Sequence, residues 1–181
     1  MGQKRIYFDT SAYLLRFSDE KPLSEVVNLI FRKCEEGKLT LVTSLWTLSE
    51  GVAALDQAIK VKGNIARPQI DSTISSLLGL TIDLARRGSL DLIEPTGKLV
   101  RGSWDMMRKR HLSADDALHA FTASVGECDL FVLADNYFAE RLKGDIDAGY
   151  DQLESDQIAY EAYNLRVADD RRLLKQKIDS L

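Results

Sequence analysis

The sequence predicts an α/β protein with a central, mostly parallel sheet of four to five strands flanked by helices. Three observations predict it. Short apolar runs recur at Ile6-Tyr7-Phe8, Leu39-Thr40-Leu41-Val42, Leu90-Asp91-Leu92-Ile93 and Leu130-Phe131-Val132-Leu133. They are too brief for helices and nearly continuous in apolar character, as strands covered on both faces are. Between them lie longer stretches whose apolar residues recur every three or four positions, the mark of helices packed by one face. Strand and helix alternate, so the crossovers wrap both sides of one parallel sheet.

Taken in order, the first strand ends at Asp9. Ser24 is placed to cap a helix with the stripe Val27, Ile30, Phe31 and Cys34, which Gly37 stops. After the second strand comes a helix bearing Leu48, Val52, Leu55 and Ile59, then an expected turn within Lys60 to Gln69, where Gly63 and Pro68 fall. Ile74, Leu77, Leu78, Thr81, Leu84 and Ala85 stripe the next helix, closed by Gly88; Pro95 ends the third strand. Val100, Trp104 and Met107 predict a helix buried along that line, and Leu118, Phe121, Thr122 and Val125 another. Beyond the fourth strand, Tyr163 to Val167 is expected to add an edge strand and Asp169 to Ile178 a helix. Residues 1–145 are expected to form the principal domain, with 146–181 an extension packed on it or continuing it.

The chain has 181 residues, enough for one buried core. Its 45% hydrophobic and 29% charged residues are ordinary for a globular protein. No run of about 18 apolar residues offers a membrane span, and Met1-Gly2-Gln3-Lys4-Arg5 lacks the pattern of a signal peptide. Cys34 and Cys128 stand inside apolar patterns and read as buried thiols in a reducing compartment, so the cytoplasm is the expected location. A net charge of −4 does not advertise a nucleic-acid binder, but its distribution is polarised. Lys98, Arg101, Arg108, Lys109 and Arg110 crowd one basic stretch against a lone Asp105. Asp145, Asp147, Asp151, Glu154, Asp156 and Glu161 crowd an acidic one, read here as a solvated face or as a surface for a basic partner.

In open α/β sheets, sites form beyond the carboxyl ends of the strands. Asp9 ends the first strand and Asp135 follows the fourth. Asp116 opens the helix before the fourth strand, and Glu50 lies early in the helix after the second. All four can meet at one edge of the sheet. Such carboxylates supply the hard oxygen donors that Mg²⁺ and Mn²⁺ prefer, and divalent ions are what phosphodiester hydrolysis needs. Each has an ordinary alternative. Asp9 suits the end of a strand or the cap of a turn, Asp135 a loop opening after a strand, Glu50 a solvated helix face, and Ser113 with Asp116 a capping box.

Phe8-Asp9-Thr10-Ser11, Ser49-Glu50, the stretch Ser113-Ala114-Asp115-Asp116-Ala117-Leu118-His119-Ala120, and Leu133-Ala134-Asp135 resemble, in order and spacing, the motifs of the PIN-domain family. The resemblance spans roughly residues 5 to 142. It implies the three-layer PIN-like fold and a cytoplasmic, Mg²⁺- or Mn²⁺-dependent ribonuclease of the kind found in VapC-like toxins, often dimeric and held by an antitoxin. It further implies Asp9, Glu50, Asp116 and Asp135 as catalytic metal ligands, with Ser11 behind them orienting Asp9. Asp115 is the rival to Asp116. Where the family often has Thr or Ser two residues before the last Asp, this chain has Leu133, and it runs about 35 residues past the usual end.

Other readings are narrower. His119 reads as a packed or partly exposed helix residue and His111 as a solvated one. Trp104, among cations, matches a stacking platform for bases, but its spacing with Val100 and Met107 predicts burial. No phosphate-binding glycine motif is present, and Ser11 stands where a haloacid-dehalogenase-like phosphatase has an acid.

Overall fold

The structure is a computed structural model and describes residues 2–62, 67–144 and 158–181, the side chains of 58–62 excepted. Its elements run β1 (Lys4–Phe8), α1 (Thr10–Leu14) with a 3-10 turn at Leu15–Phe17, α2 (Leu23–Glu35), β2 (Leu39–Ser44), α3 (Leu45–Lys62) and α4 (Arg67–Arg86). They continue with β3 (Leu90–Ile93), α5 (Gly97–Arg110), α6 (Ala114–Val125), β4 (Leu130–Leu133), α7 (Asn136–Lys143), β5 (Glu161–Asn164) and α8 (Ala168–Asp179).

The five strands lie in the order β3-β2-β1-β4-β5, every neighbouring pair parallel. Successive side chains of a strand point to opposite faces, and the two cores follow from that. Ile6 and Phe8 of β1 join Leu130 and Val132 of β4 on one face, against Ile30 and Phe31 of α2 and Leu174 and Ile178 of α8. Tyr7, Phe131 and Leu133 turn to the other face, against Ala117 and Ala120 of α6 and Phe138 of α7. The α/β class with helices on both sides is therefore the fold the short apolar runs demanded. Helices α5 and α6 approach closely because Gly102 has no side chain; a Cβ there would stand 2.2 Å from the Phe121 ring.

Several local expectations need correction. Ser24 caps nothing: α2 begins at Leu23 after Pro22, and Ser24 is buried one residue inside it. A proline fits this position because its fixed φ and missing N–H cost a helix start little. The expected turn at Lys60 to Gln69 is narrower, since α3 continues through Lys62 and α4 starts at Arg67; what remains, 63–66, lies outside the described residues. Pro68 is the second residue of α4, where the backbone N–H has no helical partner to lose. Helix α5 is turned relative to the predicted stripe. It buries Leu99, Ser103, Met106 and Lys109, and leaves Val100 and Trp104 exposed. The last strand is Glu161–Asn164, which starts two residues and ends three residues earlier than expected, and it extends the sheet from β4. Among the described residues no helix is long and apolar enough to cross a membrane.

Candidate active site

Strand order reverses direction between β1 and β4: from β1 the chain moves outward to β2 and β3, and from β4 to β5. The crevice beyond the carboxyl ends of two such strands is where open α/β sheets take ligands. Asp9 directly follows β1 and Asp135 lies two residues beyond β4, so these two carboxylates flank the switch point. Each is also a helix cap. Asp9 Oδ1 accepts from Ala12 N at 2.8 Å at the start of α1, and Asp135 Oδ1 accepts from Phe138 N at 2.8 Å at the start of α7. Where the sequence suggested only a strand end, a turn or a loop opening, the structure has helix caps, and capping fixes both side chains at the sheet edge.

Ser11 lies with its hydroxyl 2.9 and 2.8 Å from the two oxygens of Asp9 and accepts from Ala134 N at 2.7 Å. One hydroxyl therefore ties the end of β1 to the chain leaving β4, one residue before Asp135. Leu133, where the resembled motif has a hydroxyl, is wholly buried in the α6–α7 core.

Asp116 stands in the first turn of α6, whose cap is Ser113, accepting from Asp116 N at 3.1 Å. Glu50 is reached from α3. Asp9, Glu50, Asp116 and Asp135 all line one cleft of about 460 Å³, with Thr10, Ser11 and His119. Asp115, one helical step from Asp116, is exposed. A larger groove of about 660 Å³ separates α2 from α8, but two of its basic groups, Arg172 and Lys175, are in ion pairs and it gathers no comparable set of carboxylates.

The carboxylates differ electrostatically. Burial pushes the Asp9 pKa up to about 6, the charge of His119 and the bonds from Ala12 and Ser11 opposing, and the Glu50 charge raising it further. Burial also raises Asp116, with the charges of Asp135 and Glu50 adding to the rise. Burial would raise Glu50 too, but His119 and Thr10 outweigh it and leave its pKa lowered. The buried indole N–H of Trp46, without a partner at normal hydrogen-bond geometry, pulls weakly the same way.

His119 is the cleft side chain that sequence reasoning undervalued. It is buried, with Nε2 at 2.6 Å from Glu50 Oε2 and Nδ1 at 2.9 Å from the Tyr7 hydroxyl. Thr10 Oγ1 donates to the same Glu50 oxygen. The available signal was its spacing: His119 lies three residues after Asp116, on the same helix face.

Of the basic stretch, Lys98, Arg101 and Arg108 are exposed on α5. Lys109 is buried, and Arg110 donates to the carbonyls of Leu142 and Gly144 at 2.9 Å each, tying α5 to the end of α7. Trp104 is 56% exposed, contrary to the predicted burial, because α5 presents the Leu99–Met106 line to the core instead. Of the acidic stretch, Asp145, Asp147, Asp151, Glu154 and Asp156 lie outside the described residues. Glu161 is exposed on β5 and ion-paired with Lys177 at 2.6 Å.

The donor chemistry fits a hard divalent ion. Four carboxylates share one cleft, both cysteines are buried elsewhere, and both ring nitrogens of His119 are already engaged. As the side chains stand, no three Asp, Glu, His or Cys among the described residues close tightly around one point.

The architecture is PIN-like: an α/β sandwich with a five-stranded parallel sheet. The same fold is seen in the crystal structure of Mycobacterium tuberculosis VapC20, described as a toxin that cleaves the sarcin–ricin loop. The two share 14% identity with a TM-score of 0.54, over 74% of this chain and 92% of that one. No protein-family model matches the chain, and no curated protein matches it in sequence.

Proposed function

We propose that the protein is a divalent-metal-dependent endoribonuclease that hydrolyses RNA phosphodiester bonds, working in the cytoplasm as the toxin of a toxin–antitoxin pair. The observation that carries this reading is the meeting of Asp9, Glu50, Asp116 and Asp135, from four separate segments, in one cleft at the switch point of a PIN-like sheet. These four residues would hold Mg²⁺ or Mn²⁺, which supplies polarisation of the phosphoryl oxygens and a more acidic water. Ser11 and the backbone of α1 hold Asp9 in place. Burial raises the pKa values of Asp9 and Asp116, which suits them to accept a proton from the attacking water.

Lys98, Arg101 and Arg108 on the exposed side of α5 suit the RNA backbone, and Trp104 between them suits a base. Residues 1–145 supply the cleft in this reading, and 146–181 continue the same domain through β5 and α8. A homodimer and an antitoxin partner belong to the same proposal; sedimentation of the purified chain and copurification with a small basic protein check them.

Purified protein is incubated with a structured RNA in Mg²⁺, in Mn²⁺ and in EDTA. Cleavage is expected with either metal and not in EDTA, and Asp9→Asn and Asp116→Asn are expected to abolish it with an unchanged far-UV circular dichroism spectrum. Wild-type turnover by either variant overturns the site assignment.

A second reading, a catalytically weak PIN-like module that binds RNA or a protein, has one observation in its favour. The carboxylates do not close around a single point, and Glu50 is paired to His119. No heat of divalent-ion binding in calorimetry would select it.

A further inference from the structure

Three of the four carboxylates owe their positions to the backbone. Asp9 and Asp135 cap helices, and Asp116 sits in the first turn of one. Glu50 has no such anchor. It is the sixth residue of α3, well past the helix start, on a flexible side chain. What fixes it comes from other elements. Thr10, at the start of α1, donates to Oε2, and His119 of α6 reaches the same atom through Nε2 at 2.6 Å.

The orientation of the imidazole follows from its two partners. A carboxylate offers only acceptors, so Nε2 carries the hydrogen. The Tyr7 hydroxyl, 2.9 Å from Nδ1, donates to it in the neutral ring and accepts from it in the cation, and so meets the ring in either state. Tyr7 is immobile: wholly buried on β1, with its ring stacked on Phe131 at 5.1 Å between centroids. The chain Tyr7 O–H, His119, Glu50 therefore runs from the sheet through α6 to the cleft.

We infer that His119, its Nε2 hydrogen turned to Glu50 and its ring held from the other side by Tyr7, is a positioning residue that holds the Glu50 carboxylate in one pose for the divalent ion. Thr10 holds the same oxygen from a second side. The role rests on the metal-site reading above. It assigns His119 neither to the ligand set nor to proton transfer, because both ring nitrogens are occupied. Groups that orient a ligating side chain are worth about 10- to 100-fold in metal affinity.

The test uses the full chain and Mn²⁺ itself, with free Mn²⁺ followed by electron paramagnetic resonance, and ring-¹⁵N NMR of the metal-free protein as a readout independent of catalysis. Expected for the wild type are Mn²⁺ uptake and a His119 ring protonated at Nε2. His119→Leu is expected to weaken Mn²⁺ binding by about 10- to 100-fold. His119→Gln, which keeps a side-chain N–H, is expected to recover most of the loss. Tyr7→Phe is expected to keep the fold and the hydrogen on Nε2, and to weaken Mn²⁺ binding less than His119→Leu does.

Uptake by the wild type matched or exceeded by His119→Leu overturns the role, as does a wild-type ring protonated at Nδ1 alone. Should His119→Leu fail to fold, His119→Gln decides with Glu50→Gln as reference: equal losses in the two overturn the role, and a smaller loss in His119→Gln supports it. No Mn²⁺ uptake by the wild type overturns the metal-site reading itself, an outcome distinct from the others.

Discussion

At the residue scale, Asp9 shows how a side chain with a structural role can also be the one proposed for chemistry. Its oxygens serve Ala12 N and Ser11, so the structural role the sequence offered as an alternative is present, as a helix cap, beside the proposed metal role. Burial raises its folded pKa from 3.8 to about 6. The folded state therefore binds the proton more tightly than the unfolded chain, and the metal-free fold loses stability as pH climbs from about 4 to 6, by about 2 kcal/mol in all. Asp9→Asn keeps the capping oxygen and lacks the titration. In EDTA its melting temperature should rise relative to wild type across that window and stay at or above it at pH 7. Excess Mg²⁺ should stabilise the wild type by mass action and leave the variant nearly unmoved. Thermal melts at pH 4 and 7, each in EDTA and in Mg²⁺ at fixed ionic strength, separate the cases; parallel profiles would show that Asp9 neither titrates in this range nor binds the ion. The neighbouring pair gives a sharper comparison. Asp116 lines the cleft and Asp115 is exposed, about 100° around the helix. Asp115→Asn should keep most RNA cleavage where Asp116→Asn loses it.

At the element scale, the strands and most helices were legible because their apolar residues obey a period. The face of α5 was not. Val100, Trp104 and Met107 share one helical line, and Leu99, Ser103, Met106 and Lys109 share the adjacent one; periodicity alone does not choose between lines one residue apart. The core selected the line with a serine and a lysine because Gly102 opens room for the Phe121 ring beside them. Exposed Trp104, between Arg101 and Arg108 on successive turns, is then available as the proposed surface for single-stranded RNA. Trp104→Ala should weaken binding by about 1–3 kcal/mol, the usual contribution of one stacked base. Arg101→Ala should lower affinity across sequences and reduce the salt slope by about one. Anisotropy of a labelled RNA, measured on an Asp116→Asn background to prevent cutting, reads both. Unchanged affinity for Trp104→Ala would leave α5 without an RNA role.

At the scale of the whole molecule, four candidate residues met because the topology left one place for them. A parallel sheet that winds outward from β1 in one direction and from β4 in the other has one switch point, and strand-terminal Asp9 and Asp135 must border it. That much was readable from strand ends. His119 was not, since its value depends on Tyr7 and Glu50 arriving from distant segments. Beyond Gly144 an edge strand and a helix were expected, and β5 and α8 stand close to both places, but how firmly they join the rest was not legible, the acidic residues there suggesting a solvated face. Yet β5 pairs with β4 along its length, from Leu130 beside Glu161 to Leu133 beside Asn164. Leu165, Leu174 and Ile178 are wholly buried, and Arg166 Nε donates to Ala134 O at 2.8 Å, next to Asp135. Ending the chain at Gly144 should therefore do more than shorten it. It would strip β4 of its neighbour, leaving a hydrophobic strand edge open to other chains, and expose the core surface that α8 covers. The truncated protein is expected to aggregate or to lose its cooperative thermal transition, and with it RNA cleavage. A monomeric 1–144 chain with a wild-type-like melt by circular dichroism would show instead that β5 and α8 are an addition to a domain already complete.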